Sequence, residues 1–344
     1  MGAKRPIAVT INDVAAATQV SIRTVSRVIN NSPKVGAKTR ERVRTAIREL
    51  GFRPNSRARA LASGRSSLIG VVQSDPNARS MGTFQSGIVA QCALHGYELV
   101  VHACDATQAD LPSDIEAFVR RSRVDGLLLL PPVSEHADIA DLLAAVGVPA
   151  ATICSVRLPG YPVTVLSCER WVAGEVADHL VALGHRDIAI ITGPRNYASS
   201  IERETGFREG LLRAGIELGP ERAVPGDYSF QSGLQAAKQL LSASPRPTAI
   251  FATNDNMAAG VLKMATQMGV RVPEDLSVIG FDDADFAQML SPALTTVRRP
   301  IRDMGKNAAE LLIGLISRSP GVADIHVQLQ LIVRDSTAPP PAGL

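Results

Sequence analysis

Between Ser21 and Asn30, a helical pitch would place Ile22, Arg23, Ser26, Arg27 and Asn30 on one side and Val25, Val28 and Ile29 on the other. The polar side offers two planar guanidinium forks, a hydroxyl and an amide. These are the groups that grip phosphate oxygens and read base edges. Charge follows the same division. Residues 1–65 hold 14 Lys/Arg against 3 Asp/Glu, whereas residues 66–344 hold 22 against 30. A basic head on an acidic body implies a polyanionic partner for the head alone. A merely solvated charge run is the alternative, and it leaves the coincidence of charge with a helical pattern unexplained.

Short helices must hold these groups. Thr10 is a natural N-cap, with Asp13 three residues on as the reciprocal partner of a capping box. Ile11, Val14 and Ala15 then form one apolar stripe, and the turn Thr18-Gln19-Val20 leads to Ser21, a second N-cap. Two such helices joined by a tight turn make a helix-turn-helix. A third helix is expected near Arg40 to Leu50, with Val43, Ala46, Ile47 and Leu50 inward; Gly51 can end it and Pro54 prevents continuation. Arg40, Arg42, Arg44 and Arg48 read as a solvated face that adds general electrostatic pull. Asn55 to Ala62 is a helical candidate too short to persist alone in water. Arg57 and Arg59 suggest that it orders against DNA, and residues 63–67 read as a linker.

The rest of the chain alternates. Short Val/Ile/Leu-rich strands are expected at Leu68–Val72, Glu98–His102, Gly126–Leu130, Ala150–Ile153, Thr164–Leu166, Ile188–Ile191, Ala249–Ala252 and Val278–Phe281. Amphipathic helices fall between them, for example at Arg170–Leu183, Ile201–Ala214, Gln231–Ser242 and Asn256–Met268. This pattern gives parallel sheets with ligand sites at the carboxyl ends of strands. The body is too long for one sheet, so two subdomains are expected. His326–Val333 alternates and returns to one of the sheets, and the Pro-rich stretch from Ser336 to Leu344 reads as a disordered tail.

Several function classes find no support. Cys92, Cys104, Cys154 and Cys168 form no CxxC pair and have no His at ligand spacing, so a reduced intracellular protein without metal is expected. There is no signal-peptide pattern and no apolar run approaching the ~20 residues of a membrane span. A cytoplasmic location without membrane contact follows as an expectation. No GxGxxG after the first strand, P-loop, GxSxG or HExxH marks an enzyme. His102, His136, His179, His185 and His326 lie in no nucleophile-activating arrangement. No cofactor is expected, and the protein reads as a non-enzyme. A transporter's solute-binding protein would suit the body alone, but the basic head argues against it.

Taken together, Thr10 to Ala15, Val20 to Asn30, Lys38 to Val43, Leu50 to Asn55 and Ala60 to Ala62 closely resemble the lactose-repressor (LacI/GalR) family of bacterial transcription regulators. The likeness continues through Leu183 to Arg186, Gly193-Pro194, Arg203 to Phe207, Asn254 to Gly260, Val272 to Ser277, Gly280 to Asp283 and Pro292 to Thr296. It implies an N-terminal all-α helix-turn-helix head over residues 1–54, then a hinge helix and linker at 55–66. The α/β body, like a periplasmic binding protein, spans 67–335. Its first parallel-sheet subdomain covers about 67–166 and 297–325, and its second about 167–296 and 326–335. It also implies a homodimer reading a palindromic double-stranded operator, and an effector cleft that shifts the dimer between bound and released forms.

By the resemblance, Ile22 and Arg23 face base edges. Ile22 can cover a thymine methyl and Arg23 can donate two hydrogen bonds to guanine. Arg27 reaches a base or a phosphate, and Thr10, Ser21, Thr24, Ser26, Asn30 and Thr39 hold phosphates. Asn55, Arg57 and Ala58 belong to the hinge segment, and Leu61 matches the leucine that the family wedges into the minor groove. Partial burial of Ile22, a phosphate-only Arg23 and a Leu61 packed on its own subunit are the alternatives. Gln19 stands where the family often has glycine, and a left-handed Gln costs ~1 kcal/mol. In the body, Arg203, Asn254 and Asp282 match effector-contacting positions and suit a polyol such as a sugar. Tyr228 matches a stacking aromatic, and Tyr197 and Ser199 add contacts from a neighbouring loop. Arg203 and Asp282 pairing only with each other is the alternative. Phe230 reads as core. Ser80 and Met81 replace the aromatic pair of the purine-binding branch, which argues against a nucleobase. Cys168-Glu169 replaces the usual Asp-Asn or Asp-Asp, leaving Glu169 as a displaced carboxylate, and Cys154 reads as packing. A sugar-released repressor and a co-repressed regulator both fit.

Overall fold

In the computed structural model, residues 9–29, 32–52, 65–74 and 78–341 are described, and the chain divides into two compact units at Ser67.

The first unit holds α1 (Ile11–Thr18), α2 (Ile22–Ile29) and α3 (Ala37–Glu49). Thr10 donates its amide and its hydroxyl to Asp13 Oδ2, each at 2.7 Å. These bonds, the backbone one first, hold the Asp13 carboxyl below its ordinary value. Gln19 takes the left-handed conformation at φ 51°, and Ser21 Oγ accepts the Thr24 amide at 3.2 Å to start α2. Eight-residue helices do not persist alone. Their stability comes from a shared core of Val14, Val25, Val28, Val43, Ala46 and Phe52, at about 1.5–3 kcal/mol per buried valine. Arg40 departs from the expected solvated face. Its Nη2 donates to the carbonyls of Ser32 at 2.8 Å and Val35 at 3.1 Å, so it ties the turn before α3 to that helix. The expected helix at 55–62 lies outside the described residues.

The second unit has two parallel sheets. The first runs in the order β11-β5-β4-β3-β1-β2, from β1 (Leu68–Gln73), β2 (Glu98–Ala103), β3 (Gly126–Leu129), β4 (Ala150–Cys154), β5 (Val163–Ser167) and β11 (Ile325–Val327). The second runs β7-β6-β8-β9, from β6 (Ile188–Thr192), β7 (Ala223–Pro225), β8 (Ala249–Ala252) and β9 (Ser277–Ile279). β10 (Thr296–Arg298) and β12 (Gln330–Ile332) form an antiparallel pair. Helices α4 (Ala78–His95) and α11 (Ile301–Ile316) cover one face of the first sheet, with α5 (Leu111–Ser122) and α6 (Ala137–Val146) on the other. Helices α7 (Glu169–Ala182) and α8 (Ala198–Arg213) cover one face of the second, with α9 (Phe230–Leu241) and α10 (Asp255–Gln267) opposite. Cores on both faces explain why the strands read as unbroken apolar runs.

Two expectations need correction. The chain does not return to the second subdomain at residue 326, because β11 pairs in parallel with β5 and belongs to the first sheet. Three residues are too few for alternation to reveal the sheet. Nor is the chain disordered from Ser336, at least as far as the described residues reach. Ser336 is fully buried; its carbonyl accepts the Val278 amide at 2.8 Å and its hydroxyl donates to the Val278 carbonyl at 2.6 Å. Ala338 N donates to Ser277 Oγ at 3.0 Å, and the carbonyl of Ala338 lies 2.9 Å from His185 Nε2. Pro-rich composition hid a segment that satisfies the exposed edge of β9.

Candidate functional site

In the head, the start of α2 carries the expected readers. Ile22 is 50% exposed while Val25 and Val28 in the same helix are buried. A large apolar side chain so placed contributes little to its own core. Arg23 is exposed beside it, and Thr24, Ser26, Arg27 and, on α3, Thr39 are half-buried. The hydroxyls of Ser21 and Thr24 lie 2.9 Å apart, so one hydroxyl hydrogen is used locally and the other is free to point outward. Thr10 is exposed at the start of α1. Asn30, Asn55, Arg57, Ala58 and Leu61 lie outside the described residues.

In the body, strand ends converge on a cleft between the two sheets. Cys154 follows from β4, Ser167 from β5, Tyr197 from β6, Tyr228 from β7, Asn254 from β8 and Asp282 from β9. This is where parallel sheets place ligands. The cavity is about 60 Å³, well below the ~300–1,000 Å³ of ordinary ligand pockets, so the two walls stand close together. A second cavity, of 260 Å³, shares Asp282 and Arg299 and adds Asp283, Asp285 and Asp303.

The floor is a buried charge cluster. Arg203 Nε donates to Glu169 Oε2 at 2.8 Å, and its Nη1 donates to the Thr253 carbonyl at 2.5 Å. Its guanidinium carbon lies 3.8 Å from the centre of the Phe281 ring. Burial would raise the Glu169 carboxyl, but Arg203 and Arg299 outweigh it and hold the group below its ordinary value. Burial likewise opposes charge on Arg203, and Glu169 first and then Asp282 reverse that effect, so it stays protonated. Arg299 Nη1 approaches Asp282 Oδ1 at 3.1 Å and its Nη2 approaches Glu169 Oε1 at 3.4 Å. Two positive and two negative groups therefore balance. Arg203 also comes to 3.9 Å from Asp282, but its principal partner is Glu169.

Several expected effector groups are committed to the fold. Asn254 Oδ1 caps α10 by accepting the Met257 amide at 2.9 Å, and its Nδ2 donates to the Tyr228 carbonyl at 2.9 Å. Glu169 is wholly buried, with Ser167 Oγ donating to it at 3.0 Å. Tyr197 and Tyr228 meet edge to face with centroids 5.7 Å apart. Gly193 makes room for this arrangement, because a Cβ there would collide with the Tyr228 ring. Tyr228 itself holds a positive φ of 67° and Asp282 one of 116°, strain of the kind that collects at functional sites. Ser199 is buried on the same wall. Among the described residues, the buried Arg299 Nε has no hydrogen-bond partner. Burial raises the Tyr228 hydroxyl, with Arg203 opposing.

Sequence reasoning missed Arg299, Phe84 and Pro131, which also line the cleft. Arg299 could have been found, since it follows β10 and strand ends build the site. Phe230, expected in the core, is 44% exposed. Among the described residues, no His/Cys/Asp/Glu group is arranged to hold a metal, and no helix is long and apolar enough to cross a membrane.

Comparison with known proteins agrees with both halves. Residues 10–55 match the family described as bacterial regulatory proteins, lacI family, and residues 177–337 match the periplasmic binding protein-like domain. The chain is 34% identical over 337 residues to the HTH-type transcriptional regulator DegA of Bacillus subtilis (strain 168), covering 96% of this chain and 98% of that protein. A structure of the lac repressor dimer bound to operator and the anti-inducer ONPF is similar at a TM-score of 0.79 and 31% identity, covering 96% of this chain and all of that one. A transcriptional regulator CelR–cellobiose complex is similar at a TM-score of 0.69 and 31% identity, with coverage of 96% and 100%. The chain, with its helix-turn-helix head and two-sheet α/β body, belongs to the lacI family of bacterial regulatory proteins and is a transcriptional regulator.

Proposed function

We propose that this regulator is a cytoplasmic homodimeric repressor that binds a palindromic operator and is released by a small sugar or glycoside. Exposure of Ile22 beside Arg23 at the start of a helix whose opposite face is buried is the observation that carries the DNA half. Arg23 supplies the fork for a guanine and Ile22 the apolar contact for a thymine methyl, while Thr10, Ser21, Thr24, Ser26, Arg27 and Thr39 fix register on phosphates. The charge-balanced cleft, with its aromatic pair, supports a neutral polyol. Asp282, Arg299 and the Tyr228 hydroxyl supply hydrogen bonds from one wall, and the tyrosine rings cover the apolar faces of a sugar. The similar CelR structure holds cellobiose. The protein has no catalytic role in this reading. Selection from a randomised duplex library should return a palindrome, and binding should weaken steeply with salt. A sugar panel should raise the melting temperature and lower operator affinity; a ligand that tightens operator binding would make the protein co-repressed. Sedimentation of the purified chain should give two subunits.

A further inference from the structure

Glu135 ends a single 3-10 turn, Val133–Glu135, on the first subdomain. The turn is firmly held. Ser134 Oγ donates to the Ile153 carbonyl at 2.8 Å, and Tyr161 hydroxyl donates to the His136 carbonyl at 2.8 Å. From that platform Glu135 Oε2 accepts the Ala198 amide at 2.7 Å. Ala198 is the first residue of α8, a sixteen-residue helix of the second subdomain, and its predecessor is Tyr197. The bond therefore spans the cleft, and Tyr197 hydroxyl crosses beside it to the Ser74 carbonyl at 3.5 Å. Glu135 Oε1 is buried with no hydrogen-bond partner among the described residues.

We propose that Glu135 is a positioning residue for cleft closure: its carboxyl group, fixed on the first subdomain, accepts from the N-terminus of α8 on the second and seats Tyr197 over the cleft, and closing the cleft takes up a proton. An unbonded amide at a helix start favours an acceptor there. Closure nevertheless buries one carboxyl oxygen without compensation. Burial pushes the group up to about 7, with Glu169 at the start of α7 adding repulsion and the Ala198 hydrogen bond opposing. Among the described residues, Cys154 of β4 also bears on it, with a thiol that burial raises to about 11 and so leaves uncharged. When the cleft opens, the carboxyl returns to water and to its ordinary value of 4.5. The closed form thus binds the proton more tightly. Its extra stability is complete below the ordinary value and is lost as pH rises through about 7. Between pH 6 and pH 8 the closed-to-open ratio should fall about tenfold.

This device goes beyond the choice of effector, and its test needs none. Hydrogen exchange of the Ala198 amide is followed in the full chain from pH 6 to pH 8, normalised to the intrinsic exchange rate. Protection should fall about tenfold across that range, while amides of β6 keep constant protection. Glu135→Gln, which keeps an acceptor and removes the charge, should hold high protection that no longer depends on pH. Glu135→Ala should lose protection at Ala198 by about tenfold at pH 6, with β6 unchanged. Flat protection in the unaltered chain, a Glu135→Gln variant that tracks it with pH, or a Glu135→Ala variant with full protection would each overturn the proposal.

Discussion

Arg203 and Glu169 are joined at 2.8 Å with side chains that are 4% and 0% exposed, so the cleft floor is built on an ion pair almost wholly removed from water. Such a pair is a weak source of net stability and a strong source of instability once one partner is removed. Because Arg203 is so fully engaged with Glu169, Thr253 and Phe281, its contribution to any ligand is made chiefly by holding the floor in shape.

Arg203→Ala should therefore destabilise the body by roughly 3–5 kcal/mol, the usual cost of stranding a buried charge. Urea unfolding followed by circular dichroism would show it. The head's specific DNA contacts should survive in the fraction that folds. A change below about 1 kcal/mol would mean that the pair behaves as if exposed.

The same pair sets an acid limit. Glu169 is held below its ordinary carboxyl value, so the folded form binds its proton less readily than the unfolded form does. That contribution is present above the ordinary value and is lost as pH falls through the lowered folded value. In Glu169→Gln the acid slope of stability between pH 5 and pH 3 should shrink. An unchanged slope would assign acid sensitivity to other carboxylates.

Arg23→Ala should relax base preference at one operator position by roughly 1–3 kcal/mol while leaving the melting temperature in place. The check is a binding profile across a randomised duplex library. Uniform weakening across all sequences would make Arg23 a phosphate contact instead.

Within α2, Val25→Ala and Ile22→Ala should separate cleanly. Val25 is fully buried, and its truncation should cost about 1.5–3 kcal/mol of head stability. Ile22, half exposed, should cost less than about 0.5 kcal/mol yet alter operator choice. Thermal unfolding together with the library profile would test both.

His185 links the C-terminal segment to pH. Its ring nitrogens contact Thr248 Oγ1 at 2.9 Å, Ser277 Oγ at 3.0 Å and the Ala338 carbonyl at 2.9 Å. Burial lowers its ordinary value of 6.5, partly offset by the Ala338 bond, so the fold favours the neutral ring. The associated stability is present above the ordinary value and is lost as pH falls through the lowered folded one. Deleting residues 336–344 should expose the β9 edge and lower the melting temperature. An unaltered melting curve would show that the segment only rests there.

Much of this is legible in the amino-acid sequence. The capping pair Thr10 and Asp13, the left-handed Gln19 and the valines of α2 follow from side-chain chemistry that acts over three or four residues. Strand cores such as Leu127 to Leu129 were legible as well, because burial on both faces leaves an unbroken apolar run. What resisted was long-range pairing. Glu169 could not be tied to Arg203, nor Glu135 to Ala198, since no local pattern encodes a contact across 34 or 63 positions. The β11 strand and the Ser336 to Ala338 segment were misplaced for the same reason. Their hydrogen bonds go to strands formed far earlier in the chain, and composition is silent about that.

The late position of those two segments has a consequence for biosynthesis. The first sheet lacks its edge strand until Ile325 to Val327 has left the ribosome, and the second lacks its edge cover until Ser336 follows. The head, whose core lies wholly between Val14 and Phe52, carries no such debt. A nascent chain can thus complete the core of its head while both sheets of the body still lack an edge.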